Sequence, residues 1–220
     1  MRITRIETQQ KRRDRVNVYA DGVFAVGISK ETLLRAALRV GDDLTPERLN
    51  ALQTEEGLFQ TRAAALRLLA RRPRAERELR DRLREKEFAD TDIAQVLSDL
   101  RNAGLVNDAE FARMYIRNTL TLRPLGEIQL RQKLLIFGVD RGTVDDAIRD
   151  ELGAVDVDDI ALTVARRYMA RTAARGITDD PHKRRRLTAA MLARRGYSWA
   201  VITRVLKSLN LPPDDTAGEL

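Results

Sequence analysis

Residues 83–97 read "LREKEFADTDIAQVL", and the fold is decided by the spacing of four of them: Leu83, Phe88, Ile93 and Leu97, in steps of five, five and four. The same steps return in "LLIFGVDRGTVDDAI" (134–148) as Leu134, Val139, Val144 and Ile148. They return again in "LARRGYSWAVITRVL" (192–206) as Leu192, Tyr197, Ile202 and Leu206. The copies are offset by 51 and 58 residues, and Pro73 and Pro124 are also 51 apart, each ten residues before its leucine. Three constant quartets with a matched proline mark an internal repeat.

Around each quartet the sequence predicts three helices. The first helices are "TRAAALRLLARR" (61–72), "DAEFARMYIRNTL" (108–120) and "DDIALTVARRYMARTAA" (158–174). The second are "RAERELRDRLREKE" (74–87), "GEIQLRQKLLIF" (126–137) and "HKRRRLTAAMLARR" (182–195). The third are "TDIAQVLSDLRNAG" (91–104), "RGTVDDAIRDEL" (141–152) and "WAVITRVLKSL" (199–209), with Asp90, Asp140 and Ser198 as expected N-caps. Asn107 followed by Glu110 resembles a capping box, and Gly104 closes the helix before it. The seven extra residues of the third copy fall in "RTAARGITDDPHKRRR" (171–186), which reads as an exposed loop.

The first sixty residues differ. "RVNVYADGVFAV" (15–26) alternates apolar and polar residues about Asp21-Gly22, the signature of a tight hairpin, with Ile3 and Ile6 as a candidate further strand. "SKETLLRAALRV" (29–40) predicts a helix capped by Ser29 and stopped by Gly41; "TPERLNALQTEEG" (45–57) predicts another, with Thr45 at the N-cap and Pro46 at the first helical position. The expected architecture is therefore mainly α: a β-hairpin and helix segment (1–59), three-helix repeats at 60–107, 108–155 and 156–212 stacked in an elongated curved array, and a disordered tail (213–220).

Charge and composition limit the function. The chain has no cysteine, a single histidine and no nucleotide-binding glycine fingerprint, so thiolate chemistry, a triad pairing histidine with cysteine, and two-histidine metal sites are excluded. No catalytic, cofactor-binding or metal residue is assigned, and a non-enzyme without a cofactor is expected. Asp145-Asp146, Asp158-Asp159 and Asp179-Asp180 lack the spaced ligands of a calcium loop. With no signal-peptide-like start and no apolar run near the roughly 20 residues of a membrane span, a cytoplasmic monomer is expected.

The net charge of +7 divides as +1, +3, −1 and +4 over 1–59, 60–107, 108–155 and 156–220, two basic blocks about a near-neutral middle. Such blocks suit nucleic acid or an acidic protein surface, although arginine, 34 of the 40 basic residues, can also reflect codon usage. In "RRPRAERELRDRLREKEF" (71–88), Glu76–Arg80 and Glu78–Arg82 have the helical ion-pair spacing, which leaves Arg71, Arg72, Arg74 and Arg84 least neutralised. The third copy offers Lys183, Arg184, Arg185, Arg186, Arg194 and Arg195 with no acid after Asp180, a stronger polyanion candidate that also reads as a solvated face. Tyr197 occupies a core slot, whereas Trp199 lies outside that register and is the candidate base-stacking side chain.

Three stretches resemble the RecX family, regulators of the RecA recombinase: "VYADGVFAVGISKETLL" (18–34), "LRNAGLVNDAEFARMYIRN" (100–118) and "RPLGEIQLRQKLLIFGV" (123–139). The resemblance implies a curved array of three-helix units lying in the groove of the RecA–DNA filament, restraining ATP hydrolysis, strand exchange and co-protease activity. It implies RecA as partner, with single- and double-stranded DNA as possible ligands, in DNA repair, recombination and the SOS response. The family carries no catalytic motif; the candidate contacts above rest on charge alone. A DNA-binding helical protein independent of RecA is the alternative.

Overall fold

Asp21 and Gly22 both take left-handed backbone angles (φ 50° and 83°), as a two-residue hairpin requires, and the strands on either side pair accordingly. The computed structural model describes residues 1–177 and 180–212; Thr178, Asp179 and the tail expected at 213–220 lie outside the described residues. Strands β1 (Ile3–Thr8), β2 (Arg15–Ala20) and β3 (Val23–Ser29) form an antiparallel sheet in that order, so Ile3 and Ile6 do belong to a further strand. Pairing Val16 with Ile28 and Val18 with Val26 places these side chains on one face, where Leu38, Leu44 and Leu52 cover them.

Helix α1 (Lys30–Arg35) starts as expected, with Ser29 Oγ accepting from the Thr32 N–H at 3.0 Å, but it ends well before Gly41. Ala37 turns left-handed (φ 47°) and the Leu38 N–H donates to the Leu33 carbonyl at 3.3 Å, a closing turn built without glycine. A left-handed alanine costs about 1–2 kcal/mol. Burying Leu38 and Leu44 under the sheet contributes about 1.5–3 kcal/mol each, which outweighs it.

Helix α2 (Pro46–Leu69) has the expected Thr45 cap and Pro46 start, yet it does not break at Gly57. A Cβ added there would sit 2.4 Å from Asp92 Oδ2, so this glycine admits a neighbouring helix rather than stopping its own. Helices α3 (Glu76–Arg84), α4 (Asp90–Asn102), α5 (Asp108–Leu122), α6 (Glu127–Phe137), α7 (Arg141–Gly153), α8 (Val157–Ala174), α9 (Pro181–Arg194) and α10 (Trp199–Ser208) follow. Helix α8 reaches Ala174 and Lys183–Arg186 lie on α9, in keeping with the helices expected at 158–174 and 182–195, so the exposed loop expected over 171–186 does not extend to either end of that stretch. Asp140 and Ser198 cap as expected, accepting from Thr143 and Val201; Asn107 accepts from Glu110. Asp90 does not cap: Ala89 holds that position, and Asp90 pairs with Arg84 at 2.7 Å.

The repeat is a physical one. Eleven of the twelve quartet side chains are buried, and Phe88 is half-buried. In every copy the second helix ends in the same turn, with a left-handed residue (Glu87 φ 64°, Gly138 φ 89°, Gly196 φ 82°) followed by an N–H that reaches back to the quartet leucine. These bonds are Phe88 to Leu83 at 3.4 Å, Val139 to Leu134 at 3.1 Å and Tyr197 to Leu192 at 3.2 Å.

The chain forms two compact units, Met1–Pro73 with Leu79–Val106, and Arg74–Glu78 with the residues from Asn107 onward. The first holds the sheet's core and a second cluster of Ala65, Leu79, Leu83, Ile93 and Leu97. The other unit holds one cluster about Leu130, Leu134 and Val144 and another about Leu192, Ile202 and Leu206.

Candidate nucleic-acid interface

The cations singled out from the sequence divide into three fates. Arg74 pairs with Glu78 and Arg84 with Asp90, so the expectation that both stay unneutralised is corrected; the Arg74 and Glu78 side chains are only 10% and 12% exposed. Arg72 donates to the Pro73 carbonyl at 3.2 Å, while Arg71 opens onto a cleft in the first unit.

Lys183–Arg186 do not act as one patch. Asp180 caps α9 by accepting from the His182 N–H at 2.9 Å, and the first turn has no acid. Arg185 reaches the Leu211 carbonyl at 3.4 Å, and its buried Nε has no partner among the described residues; Lys183 and Arg186 are exposed. Basic residues at a helix N-terminus oppose the helix dipole by about 0.3–1 kcal/mol each.

Arg194 and Arg195 have the richest setting. With Arg123, Lys133 and Tyr115 they line a cleft of 410 Å³. Arg123 and Arg195 also line an adjoining cleft of 430 Å³ with Arg167 and Arg171. Six cations from α6, α8, the end of α9 with its C-cap and the chain after α5 thus line two clefts that share Arg123 and Arg195 and are taken together as one groove, and among the described residues no carboxylate lines either.

A close backbone joint assembles this groove. The Gly126 N–H donates to the Arg195 carbonyl at 2.8 Å and the Ile128 N–H to the Gly196 carbonyl at 3.1 Å. A Cβ at Gly126 would lie 2.2 Å from the Gly196 oxygen, and one at Gly196 2.4 Å from the Gln129 nitrogen, so only glycine fits either position. Arg195 then anchors its guanidinium on the Pro124 carbonyl at 3.0 Å. An equivalent approach joins the first turn of α3 to the second copy, where Ala75 enters the Leu134 cluster and Arg77 packs over Gly138.

Tyr197 is core, as expected: burial pushes its phenol up to about 12, partly offset by nearby Arg195, and its hydroxyl has no partner among the described residues. Trp199, at 68% exposure, presents its ring to solvent at the start of α10. Sequence reasoning missed Arg123, Lys133, Arg167 and Arg171. The middle copy's charge of −1 concealed the first two, because its acids pair elsewhere: Asp145 with Arg131, Asp146 with Arg149, Asp150 with Arg113 and Glu151 with Arg117. The available signal for the other two was the absence of any acid on α8 after Asp159.

Comparison with known proteins agrees along the chain. Family models described as the regulatory protein RecX N-terminal domain and the first, second and third RecX three-helix domains match residues 1–45, 62–100, 107–148 and 156–206. Relatives named "Regulatory protein RecX" include one from Clostridium acetobutylicum (29% identical over 94% of this chain and 95% of its own) and one from Clostridium beijerinckii (26%, same coverage). A crystal structure titled as regulatory protein RecX superposes with a TM-score of 0.68 at 22% identity, covering 94% of this chain and 98% of that one. A second, RecX from Lactobacillus salivarius, gives 0.61 over 72% and 99%.

Proposed function

Since the chain belongs to the RecX family, we propose that it is a non-enzymatic regulator that binds the RecA–DNA filament and lowers RecA's ATPase, strand-exchange and co-protease activities. The observation that supports this reading is the carboxylate-free groove of Arg123, Lys133, Arg167, Arg171, Arg194 and Arg195. Gathering six cations without acids is costly in the free protein and is recovered when phosphates enter and release their counterions. Lys183, Arg186 and Trp199 supply further cationic and stacking contacts on the same unit.

The test is the ATPase rate of RecA on single-stranded DNA. Added protein should lower the rate, and Arg123→Glu with Arg195→Glu should restore most of it. An unchanged rate, together with no co-sedimentation with filaments, overturns the proposal. A second reading, DNA binding independent of RecA, is favoured by the same groove, which requires only a polyanion. It predicts tight binding to bare DNA whose log K falls by about 0.7–0.9 per phosphate contact for each decade of salt.

A further inference from the structure

The first unit carries its own basic cleft, 340 Å³ in volume, and its chemistry is narrower than that of the groove described above. Arg12, from the connection between β1 and β2, faces Arg67 on α2, Arg71 just beyond it and Lys86 after α3. No carboxylate among the described residues lines the cleft. Among the described residues Arg12 alone of the four has an acid within ion-pair distance, Asp14 at 3.8 Å, and that pair is exposed.

Two further features point to more than an anion. The wall includes Phe88, which occupies the quartet slot that Val139 and Tyr197 fill as buried core; here the ring is half-buried and open to the cleft. The turn that presents it is the one copy that uses a left-handed glutamate, Glu87, in place of glycine. A repeat that departs from its own rule at a cleft is where function is expected to override packing. Gln60 also lines the wall, and its amide nitrogen donates to Glu56 Oε1 at 2.8 Å. Because a carboxylate only accepts, this bond fixes the amide and leaves its carbonyl oxygen as an acceptor.

We propose that this cleft binds one nucleotide of a single strand, with the phosphate held by Arg12, Arg67, Arg71 and Lys86, the base laid on Phe88, and a base N–H donated to the Gln60 carbonyl. Mononucleotide-sized ligands fit clefts of this volume. Arginine forks match phosphate oxygens, and an aromatic face takes any base. The site is independent of RecA, so its failure leaves the filament reading untouched.

The test is equilibrium binding of a 5′-phosphorylated, dye-labelled deoxyadenosine trinucleotide to the full chain, without RecA and at low salt. Arg67→Ala with Arg71→Ala should weaken binding by about tenfold or more. Phe88→Leu, which keeps apolar volume and removes the flat ring, should weaken it about fivefold or more. Arg141→Ala with Arg175→Ala should leave it within about twofold, since neither residue lines the cleft. Wild-type affinity in the Arg67/Arg71 variant, or a loss in the Arg141/Arg175 variant as large as in the Arg67/Arg71 one, overturns the site. Competition by inorganic phosphate as strong as by unlabelled trinucleotide overturns the base contact, and tighter competition by ATP overturns the strand assignment.

Discussion

The sheet-bearing end of the first unit and the joint between the second and third repeats are held together by opposite means. At the first, a nearly buried carboxylate is fully subscribed: Glu56 accepts from Arg15 at 2.6 Å, the Ser29 N–H at 2.7 Å, the Thr32 hydroxyl at 2.9 Å and Gln60 at 2.8 Å. This network ties α2 to β2, β3 and α1. The joint instead rests on two glycines whose missing side chains let backbone meet backbone, with the Arg195 guanidinium on the Pro124 carbonyl beside them. One contact is specified by charge satisfaction and fails when a partner is lost. The other is specified by empty space and fails when an atom is added.

The contrast is broken most directly at its polar end. Glu56→Ala leaves Arg15, whose side chain is 15% exposed, with only its bond to the Gly27 carbonyl and takes the acceptor from the buried Ser29 N–H, and should destabilise the unit that contains it by about 3–5 kcal/mol. Urea denaturation reads this, and a loss under about 1 kcal/mol would show the network to be ornamental to stability. The repeat cores should respond on a similar scale for an apolar reason. Leu134→Ala empties a fully buried slot and should cost about 2–5 kcal/mol; a cost near zero contradicts the quartet as core.

At the empty end, Gly126→Ala forces a methyl group against the Gly196 carbonyl and should cost about 1–3 kcal/mol, as overpacking does. It should also shallow the salt dependence of DNA binding, because Arg123 and Arg195 no longer converge. Normal stability with a normal salt slope would separate the glycines from the groove. Glu87→Gly tests the turn in the opposite direction. Relief of the left-handed strain (about 1–2 kcal/mol) exceeds the extra chain entropy of glycine (about 0.5–1 kcal/mol), so a net gain near 0.5 kcal/mol is expected in thermal melts.

These same residues show what the sequence makes legible. Burial at Leu83, Leu134 and Leu192 is written in spacing, because a helical face recurs with a fixed period and each copy uses it alike. Gly57 is not legible: a glycine that ends a helix and one that admits a neighbour look identical until Asp92 is placed beside it. Ala37 and Glu87 are left-handed without being glycine, because packing imposes the turn at residues that do not advertise it. The groove is hidden for a third reason. Arg195 and Pro124 are 71 positions apart, and charge counted along the chain averages away the sorting of acids and bases onto different faces.

The smallest effect sharpens the comparison, because it repeats the Glu56 chemistry without the burial. Arg204 on α10 forks onto Asp158 in the first turn of α8, with contacts of 2.5 and 2.9 Å, and the hydrogen bond from Arg204 holds the Asp158 carboxyl below the usual aspartate range. A carboxyl whose pKa is depressed by folding contributes stability above its unfolded value, and that contribution disappears as pH falls through the folded value. With side chains 58% and 39% exposed, solvent screens most of the attraction, so Asp158→Asn should cost only about 0.2–1 kcal/mol at neutral pH. The difference between wild type and variant should shrink in acid as Asp158 itself takes up its proton, and in high salt as the pair is screened. The same measurement on Glu56→Gln should give the larger, salt-resistant loss. If the two variants respond alike to salt, burial is not what separates them, and the Glu56 network is no different in kind from a surface ion pair.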